Sequence, residues 1–160
     1  RDKQIREYVF GRLREIHNLH VLADNIEDRL PVFSFYIDDL HYNLGVKLMN
    51  DRFGIQLRGG CSCAGTYGHY LLHVSKQSSR KITDMIEQDD LSAKPGWIRM
   101  SFNPTMKDDE VKYILDSVYA LSVNHKKWAE EYDYDPHHNF FIHKSKPEYE
   151  SNAVDDWFAE

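Results

Sequence analysis

Two cysteines in a glycine-rich segment are the residues best placed to do chemistry. From position 58 the sequence reads Arg-Gly-Gly-Cys-Ser-Cys-Ala-Gly, so Cys61 and Cys63 closely follow a predicted strand. Paired glycines open backbone conformations that other residues avoid, which leaves a thiol there sterically free to meet a substrate. Arg58 would favour the thiolate, the nucleophilic form of cysteine. The alternative is that both cysteines are merely small residues in a tight turn.

The same cysteines also allow a metal site. They precede His69 and His73, a histidine pair one helical turn apart, and two thiolates with two imidazoles suit tetrahedral zinc. The single residue between Cys61 and Cys63 is a closer spacing than structural zinc sites use, and a disulfide would close a strained ring. Zinc, as part of a free-standing interaction module, is therefore the secondary interpretation.

Arg99 is the third candidate. It lies in a predicted strand between apolar Ile98 and Met100, so alternation turns it to the opposite face. A guanidinium buried there would need an anion, and a carboxylate gripped by two parallel hydrogen bonds is its natural ligand. An exposed arginine or an internal ion pair is the alternative, and alternation alone favours it.

Apolar periodicity predicts the elements that hold these residues. Helices are expected at 5–16, 40–53, 67–73, a segment through Ile86, and 111–128. Strands are expected at 19–23, 31–37, 55–58 and 97–102, with a turn at Gly59-Gly60. We expect Asp38 or Asp39 to cap the start of the 40–53 helix and Gly54 to end it. Ser78 or Ser79 should cap the helix through Ile86, and Thr105 with Asp108 should form a capping box before the last helix.

Short strands that alternate with helices predict an α+β fold, in which a small, mostly antiparallel sheet is covered on one face by helices. We expect a domain at 1–129 and an aromatic, histidine-rich tail at 130–160 that wraps over it. The tail's aromatic anchors are Tyr132, Tyr134, Phe140, Phe141, Trp157 and Phe158. Irregular spacing predicts surface or packed histidines, and not metal ligands, at His125, His137, His138 and His143.

Composition excludes several classes of protein. The 160 residues carry 20 basic and 26 acidic side chains, a net charge of −6, and 13% are aromatic. That aromatic content argues against disorder, and the acidic balance argues against nucleic-acid binding by bulk charge. Two cysteines cannot make a secreted disulfide scaffold, and no apolar run approaches the roughly 18 residues of a membrane span. We expect a cytoplasmic protein and, since the chain starts mid-helix without Met, a piece of a longer one.

Two segments together resemble the C-terminal part of class V aminotransferases, the pyridoxal-phosphate group that includes cysteine desulfurases and selenocysteine lyases. The first is a strand ending in Arg58, a glycine turn and Cys63-Ala64; the second is a strand with Arg99-Met100-Ser101. Asn103 and the acidic helix start Asp108-Asp109-Glu110-Val111 follow in the family's order. The resemblance covers roughly 5–121. Cys61 and a longer stretch before Trp97 depart from the family pattern.

The resemblance implies roles for three residues. Cys63 stands at the sulfur-accepting position, where it would attack the sulfur or selenium of the cofactor-bound substrate and become a persulfide. Arg99 stands where the family binds the substrate carboxylate, and Arg58 stands at the head of the cysteine loop in a positioning or electrostatic role. The implied substrate is a small amino acid, and a plain aminotransferase of the same family is the alternative.

The resemblance also implies that the cofactor is held elsewhere. The family binds pyridoxal phosphate mainly in a large N-terminal domain, whose Schiff-base lysine commonly follows a histidine. The family's lysine lies well before the cysteine loop. The two His-Lys pairs of this sequence, His125-Lys126 and His143-Lys144, both come after it. We therefore expect the small domain of a fold-type I enzyme, a homodimer when full length, that is not active as this chain alone.

Overall fold

The structure, a computed structural model, describes residues 1–61 and 65–145. Over these ranges the chain forms five helices, a four-stranded sheet and a two-stranded hairpin. The elements are α1 Asp2–Arg14, β1 Leu19–Val21, β2 Val32–Ile37, α2 Tyr42–Phe53, β3 Arg58–Gly60, α3 Gly65–Leu71, α4 Lys76–Glu87, β4 Trp97–Ser101, α5 Asp108–Ala129, β5 Tyr132–Asp135 and β6 Phe140–His143.

The four-stranded sheet has the order β1-β2-β4-β3, and every neighbouring pair is antiparallel. Phe33 lies opposite Met100 and Phe35 lies opposite Ile98, so the two central strands present one apolar face. These four side chains are at most 1% exposed. The predicted α+β fold with a small antiparallel sheet is confirmed.

Helices α1, α2 and α5 supply the other half of the core. The apolar stripe predicted for α1 is confirmed, because Ile5, Val9 and Leu13 are buried together with Phe10. The ring of Phe10 meets Phe33 of the sheet edge to face, with centroids 5.0 Å apart. Each such side chain contributes roughly 1.5–3 kcal/mol by leaving water, so α1 is held mainly by this packing. None of the helices in the described ranges is both long and apolar enough to cross a membrane.

The predicted stop of α2 is confirmed, and its predicted start is wrong. Gly54 takes the left-handed conformation at φ 66°, and its N–H bonds to carbonyls of the last turn. The N-cap is His41, whose Nδ1 accepts from the Asn43 N–H at 3.2 Å. Asp38 and Asp39 instead pair with His20 and with Lys126 in the preceding turn. Both carboxylates are thus engaged before the helix begins.

Two other predicted caps are also displaced. Ser75, and not Ser78 or Ser79, caps α4, because the Ser75 hydroxyl accepts from the Ser78 N–H at 3.1 Å. At α5 the N-cap is Lys107, whose N–H donates to the Glu110 carboxylate at 2.7 Å. Glu110 reaches the N–H of the residue three positions before it, Lys107. Asp108 would have to reach Thr105 in the same way with a side chain that is shorter by one methylene group.

The glycine pair belongs to a strand, contrary to the predicted turn. β3 comprises Arg58–Gly60, so the strand begins where the sequence predicted that it would end. A Cβ at Gly59 would lie 2.9 Å from the Asn43 side chain and 3.0 Å from the Tyr42 ring. Glycine therefore lets β3 pair with β4 while its backbone lies directly against α2.

Residues 130–145 form the β5–β6 hairpin (132–143), which the sequence pattern did not predict. The hairpin packs on α2: the buried Tyr132 donates its hydroxyl to Asp51 at 2.8 Å, and Arg52 pairs with Glu131. The aromatic anchors Trp157 and Phe158 lie outside the described residues. The boundary at 129/130 stays a prediction.

The histidines expected at the surface divide into two groups. His125 is buried in α5 at 4% exposure, with its Nδ1 3.1 Å from the Ser122 carbonyl oxygen, because it lies on the helix's inner face. His137 and His138 are exposed and His143 is half-buried. Among the described residues no group of three or more His, Cys, Asp or Glu could hold a metal.

Candidate active site

Arg58 and Arg99 lie directly opposite each other in the antiparallel pair of β3 and β4. Opposed residues of such a pair project to the same face, with Cβ atoms about 4.5–5.5 Å apart. Ser34 of β2 lies opposite Arg99 on its other side. A row of two guanidinium groups and one hydroxyl therefore crosses three adjacent strands.

This row occupies the sheet face turned away from α1, α2 and α5; Trp97, against which α3 packs, lies at one end of the same face. Its neighbours along β4, Ile98 and Met100, are each 1% exposed on the core face, so alternation turns Arg99 outward. Arg99 is half-buried and Arg58 is exposed. The prediction that Arg99 points away from its apolar neighbours is confirmed.

Arg58 and Arg99 have no counter-ion within residues 1–61 and 65–145. Among the described residues no carboxylate pairs with Arg58 or Arg99, whereas Arg12 elsewhere holds Asp116 at 2.9 Å. Like charges directly opposed in a sheet repel each other. An anion between them would remove that repulsion, and a carboxylate matches the fork of a guanidinium with two parallel hydrogen bonds.

Sequence reasoning missed two polar residues that share this face. Ser34 and Tyr36 alternate with buried Phe33 and Phe35 along β2, a pattern visible in the sequence. Tyr36 stacks on His20 with ring centroids 4.7 Å apart, and His20 Nε2 lies 3.0 Å from Asp38 Oδ1. This face of the sheet thus combines cationic, hydroxyl and aromatic groups.

The cysteine segment leaves the sheet next to this face. Cys61 follows β3 directly and is a free, half-buried thiol. A Cβ at Gly68 of α3 would lie 3.3 Å from Cys61 Cβ and 3.3 Å from the Trp97 ring, so this glycine allows α3 to pack against both. Cys63 lies outside the described residues.

The alternative zinc ligands do not come together in the described ranges. Of the four, Cys61, His69 and His73 are described, and they form no group that could hold a metal. His69 Nδ1 lies 2.7 Å from the Ser79 hydroxyl, which gives that imidazole a partner of its own.

Tyr42 supports the two arginine strands from behind. A Cβ at Gly96, the residue before β4, would lie 2.6 Å from two carbons of the Tyr42 ring and 2.9 Å from Gly60 Cα. The ring therefore touches the backbones that lead into β4 and out of β3. Burial raises the pKa of the Tyr42 hydroxyl, which keeps the phenol neutral where it packs.

His41 lies in an aromatic enclosure at the start of α2. Its ring is 4.5 Å from Tyr42, and 5.3 Å from both Tyr134 and Phe141, measured between centroids. Burial lowers the pKa of His41, because the imidazolium would lose water without gaining an acid. The Nδ1 lone pair that caps α2 is available only while this nitrogen is unprotonated.

We expect His41 to make folding stability depend on pH. Its folded pKa is lowered, so below the unfolded value of about 6.5 the unfolded chain binds more protons than the folded one. Stability is therefore complete above about pH 6.5 and falls as the pH drops, by at most about 1.4 kcal/mol per pH unit from this one group. Urea unfolding at pH 7.5 and 5.5 measures the difference. His41→Asn, which keeps a capping oxygen, should reduce it; an unchanged difference would contradict this origin.

A comparison with protein-family models identifies the chain. The model described as "Aminotransferase class-V" matches residues 1–114. The chain belongs to the class V aminotransferase family. The matched class V region contains Arg58, Arg99 and the cysteine segment, and it excludes the β5–β6 hairpin. No protein in a search of curated sequences matches the chain.

Class V aminotransferases generally depend on pyridoxal phosphate. Both His-Lys pairs of this class V chain come after the cysteine segment, and each lysine contacts another group of the chain. Lys126 pairs with Asp39 at 2.8 Å, and Lys144 donates to the Glu130 carbonyl at 2.7 Å. Arg58 and Arg99 supply two guanidinium groups, and the planar fork of a guanidinium suits a carboxylate.

Proposed function

We propose that this chain is the substrate-binding part of a pyridoxal-phosphate-dependent enzyme that removes sulfur or selenium from cysteine or selenocysteine. One observation carries the proposal: two opposed arginines, neither paired with a carboxylate of the described residues, lie on one sheet face beside the segment that leads to the cysteines. The family generally uses the cofactor that this chemistry requires. A large domain outside this chain would hold that cofactor, in a full-length homodimer.

Arg99 is the residue that grips the substrate carboxylate in this proposal. Its position in the sheet interior, between β2 and β3, restricts the motion of its backbone. Two parallel N–H···O bonds would orient the amino acid as well as bind it. Arg58, on the edge strand across from it, adds positive charge at the same end of the substrate.

Cys63 is the sulfur acceptor in this proposal. Its thiolate attacks the sulfur of the substrate cysteine, the bond between that sulfur and the substrate's Cβ breaks, and alanine leaves while Cys63 becomes a persulfide. Atoms balance, since cysteine and a thiol give alanine and a persulfide. When bound, the cofactor stabilises negative charge on the substrate carbon skeleton.

Product analysis of the full-length protein tests the proposed function. With pyridoxal phosphate, L-cysteine and a thiol reductant, we expect alanine and sulfide in equal amounts; L-selenocysteine should give alanine and selenide. A parallel reaction contains L-alanine and a 2-oxo acid. Transfer of the amino group there, without sulfide or selenide release, would favour a plain aminotransferase and contradict the proposal. The 160-residue chain alone serves as the inactive control.

A further inference from the structure

The β5–β6 hairpin lies beyond the family match, which ends at residue 114. The hairpin nevertheless contacts Tyr42, the side chain that packs against the backbones of β3 and β4. Asn139, in the turn of this hairpin, donates from Nδ2 to the Tyr42 hydroxyl at 2.7 Å. Tyr134 donates its hydroxyl to Asn139 Oδ1 at 3.0 Å, and the Asn43 side chain donates to the Asn139 carbonyl. Both ends of the Asn139 amide are thus engaged.

The backbone of Asn139 fits this role. Its φ is +56°, in the left-handed region where asparagine is among the better tolerated non-glycine residues. The turn therefore presents the amide to Tyr42 from a conformation that most other side chains would strain.

Tyr42 transmits this contact to the arginine strands. Its ring lies against Gly59 and Gly96 at distances that leave no room for a Cβ, and Gly60 pairs with Trp97 across β3 and β4. Close-packed protein interiors have low compressibility, so a displacement of the Tyr42 ring also displaces the backbones of Gly59 and Gly96.

A second attachment joins the hairpin to the segment before β4. Leu91 donates its N–H to the Pro136 carbonyl at 2.9 Å, and His137 Nδ1 lies 3.1 Å from the Asp89 carbonyl oxygen. The hairpin thereby contacts α2 on one side and the approach to β4 on the other.

We propose that the β5–β6 hairpin is part of the active-site framework, with Asn139 as a positioning residue. Through Tyr42 it holds β3 against β4, which sets the spacing of Arg58 and Arg99 and the exit of the chain toward Cys61. The link to catalysis rests on the proposed function, whereas the link to the geometry of β3 and Cys61 does not.

The test compares Asn139→Gly with three other variants of the full-length protein. Glycine removes the amide and tolerates the positive φ, and Tyr42→Phe removes the hydroxyl while keeping the ring. Asn139→Asp keeps oxygens that can accept from Tyr42 and Tyr134. Asn124→Ala is the control, because it removes another asparagine side-chain bond, to the Ala120 carbonyl, and alanine suits the interior of α5.

The readout is the iodoacetamide alkylation rate of Cys61, resolved from Cys63 by mass spectrometry, together with hydrogen exchange at 59–61. Both Asn139→Gly and Tyr42→Phe lose the hydrogen bond between Asn139 and Tyr42, and Asn139→Gly also loses the bond from Tyr134. This loss should raise local opening, so we expect rates about three- to tenfold higher in both variants. Asn139→Asp and Asn124→Ala should stay near wild type. Wild-type rates in Asn139→Gly, or an equal rise in Asn124→Ala, would overturn the proposal.

These measurements need neither cofactor nor substrate, so they stand if the proposed reaction is wrong. For the catalytic link, Asn139→Gly should raise KM for the amino-acid substrate by about three- to tenfold and Asn139→Asp should restore it. Faster alkylation with unchanged KM would overturn that link and leave the proposed function untouched.

Discussion

Replacing Arg99 by alanine in the full-length enzyme is expected to lower kcat/KM for the amino-acid substrate by about 10²–10⁴-fold. Two charge-assisted hydrogen bonds to a carboxylate are lost, each worth roughly 1.5–3 kcal/mol, and every 1.36 kcal/mol is tenfold in rate. The fold should survive, because Arg99 has no ion-pair partner among the described residues and faces away from the core. Removal of one of two opposed charges also relieves repulsion with Arg58.

Two further variants make the Arg99 result specific. Arg99→Lys keeps the charge without the planar fork, so it should recover only part of the lost activity. Arg80→Ala removes an exposed arginine from α4 and should leave kcat/KM within about twofold of wild type, as surface substitutions generally do. Steady-state kinetics with unfolding curves separate binding from stability. An Arg99→Ala enzyme with wild-type kcat/KM would remove Arg99 from the substrate site.

Replacing Cys63 by serine is expected to reduce sulfur or selenium release by at least about 10³-fold, the scale of losing a catalytic nucleophile. The hydroxyl of serine stays protonated near neutral pH and does not accept sulfur as a thiolate does. Cofactor binding, followed by visible absorbance, should stay intact because the thiol acts on the substrate. Retained release would contradict the nucleophile assignment.

The neighbouring thiol is the matched control for Cys63. Cys61→Ser makes the same chemical change two residues earlier, and activity should stay within about threefold of wild type. Cys61 packs against α3 at Gly68, and serine is close to it in size. If Cys61→Ser is the inactive variant and Cys63→Ser is active, the register of the resemblance is wrong by two residues.

Much of the fold could be predicted because its signals are local or periodic. The apolar stripe of α1 needed only the spacing of Ile5, Val9 and Leu13, and the strands near Phe33 and Ile98 needed only composition and alternation. Alternation along the strand also predicted that Arg99 lies on the other face of the sheet from Ile98 and Met100. The two motif segments led to the family, which the match over 1–114 confirms.

The wrong predictions share one cause, which is competition among near-equivalent local partners. Several residues at each helix start can accept the same backbone N–H, and contacts from elsewhere choose between them. Asp39 could have capped α2, but in the structure its carboxylate pairs with Lys126 of α5. Gly59 and Gly60 suit a turn and a strand equally well, and the approach of α2 decided for the strand.

By itself the sequence determined the class of fold, the family, and the residue types available for chemistry, since these follow from periodicity and from motifs of a few residues. Only the tertiary structure placed Arg58 opposite Arg99, kept both apart from the carboxylates of the described residues, and brought Asn139 to Tyr42. Those facts depend on strand register and on contacts between residues about 40 to 100 positions apart. Such contacts form only when the whole core packs, so no local pattern encodes them.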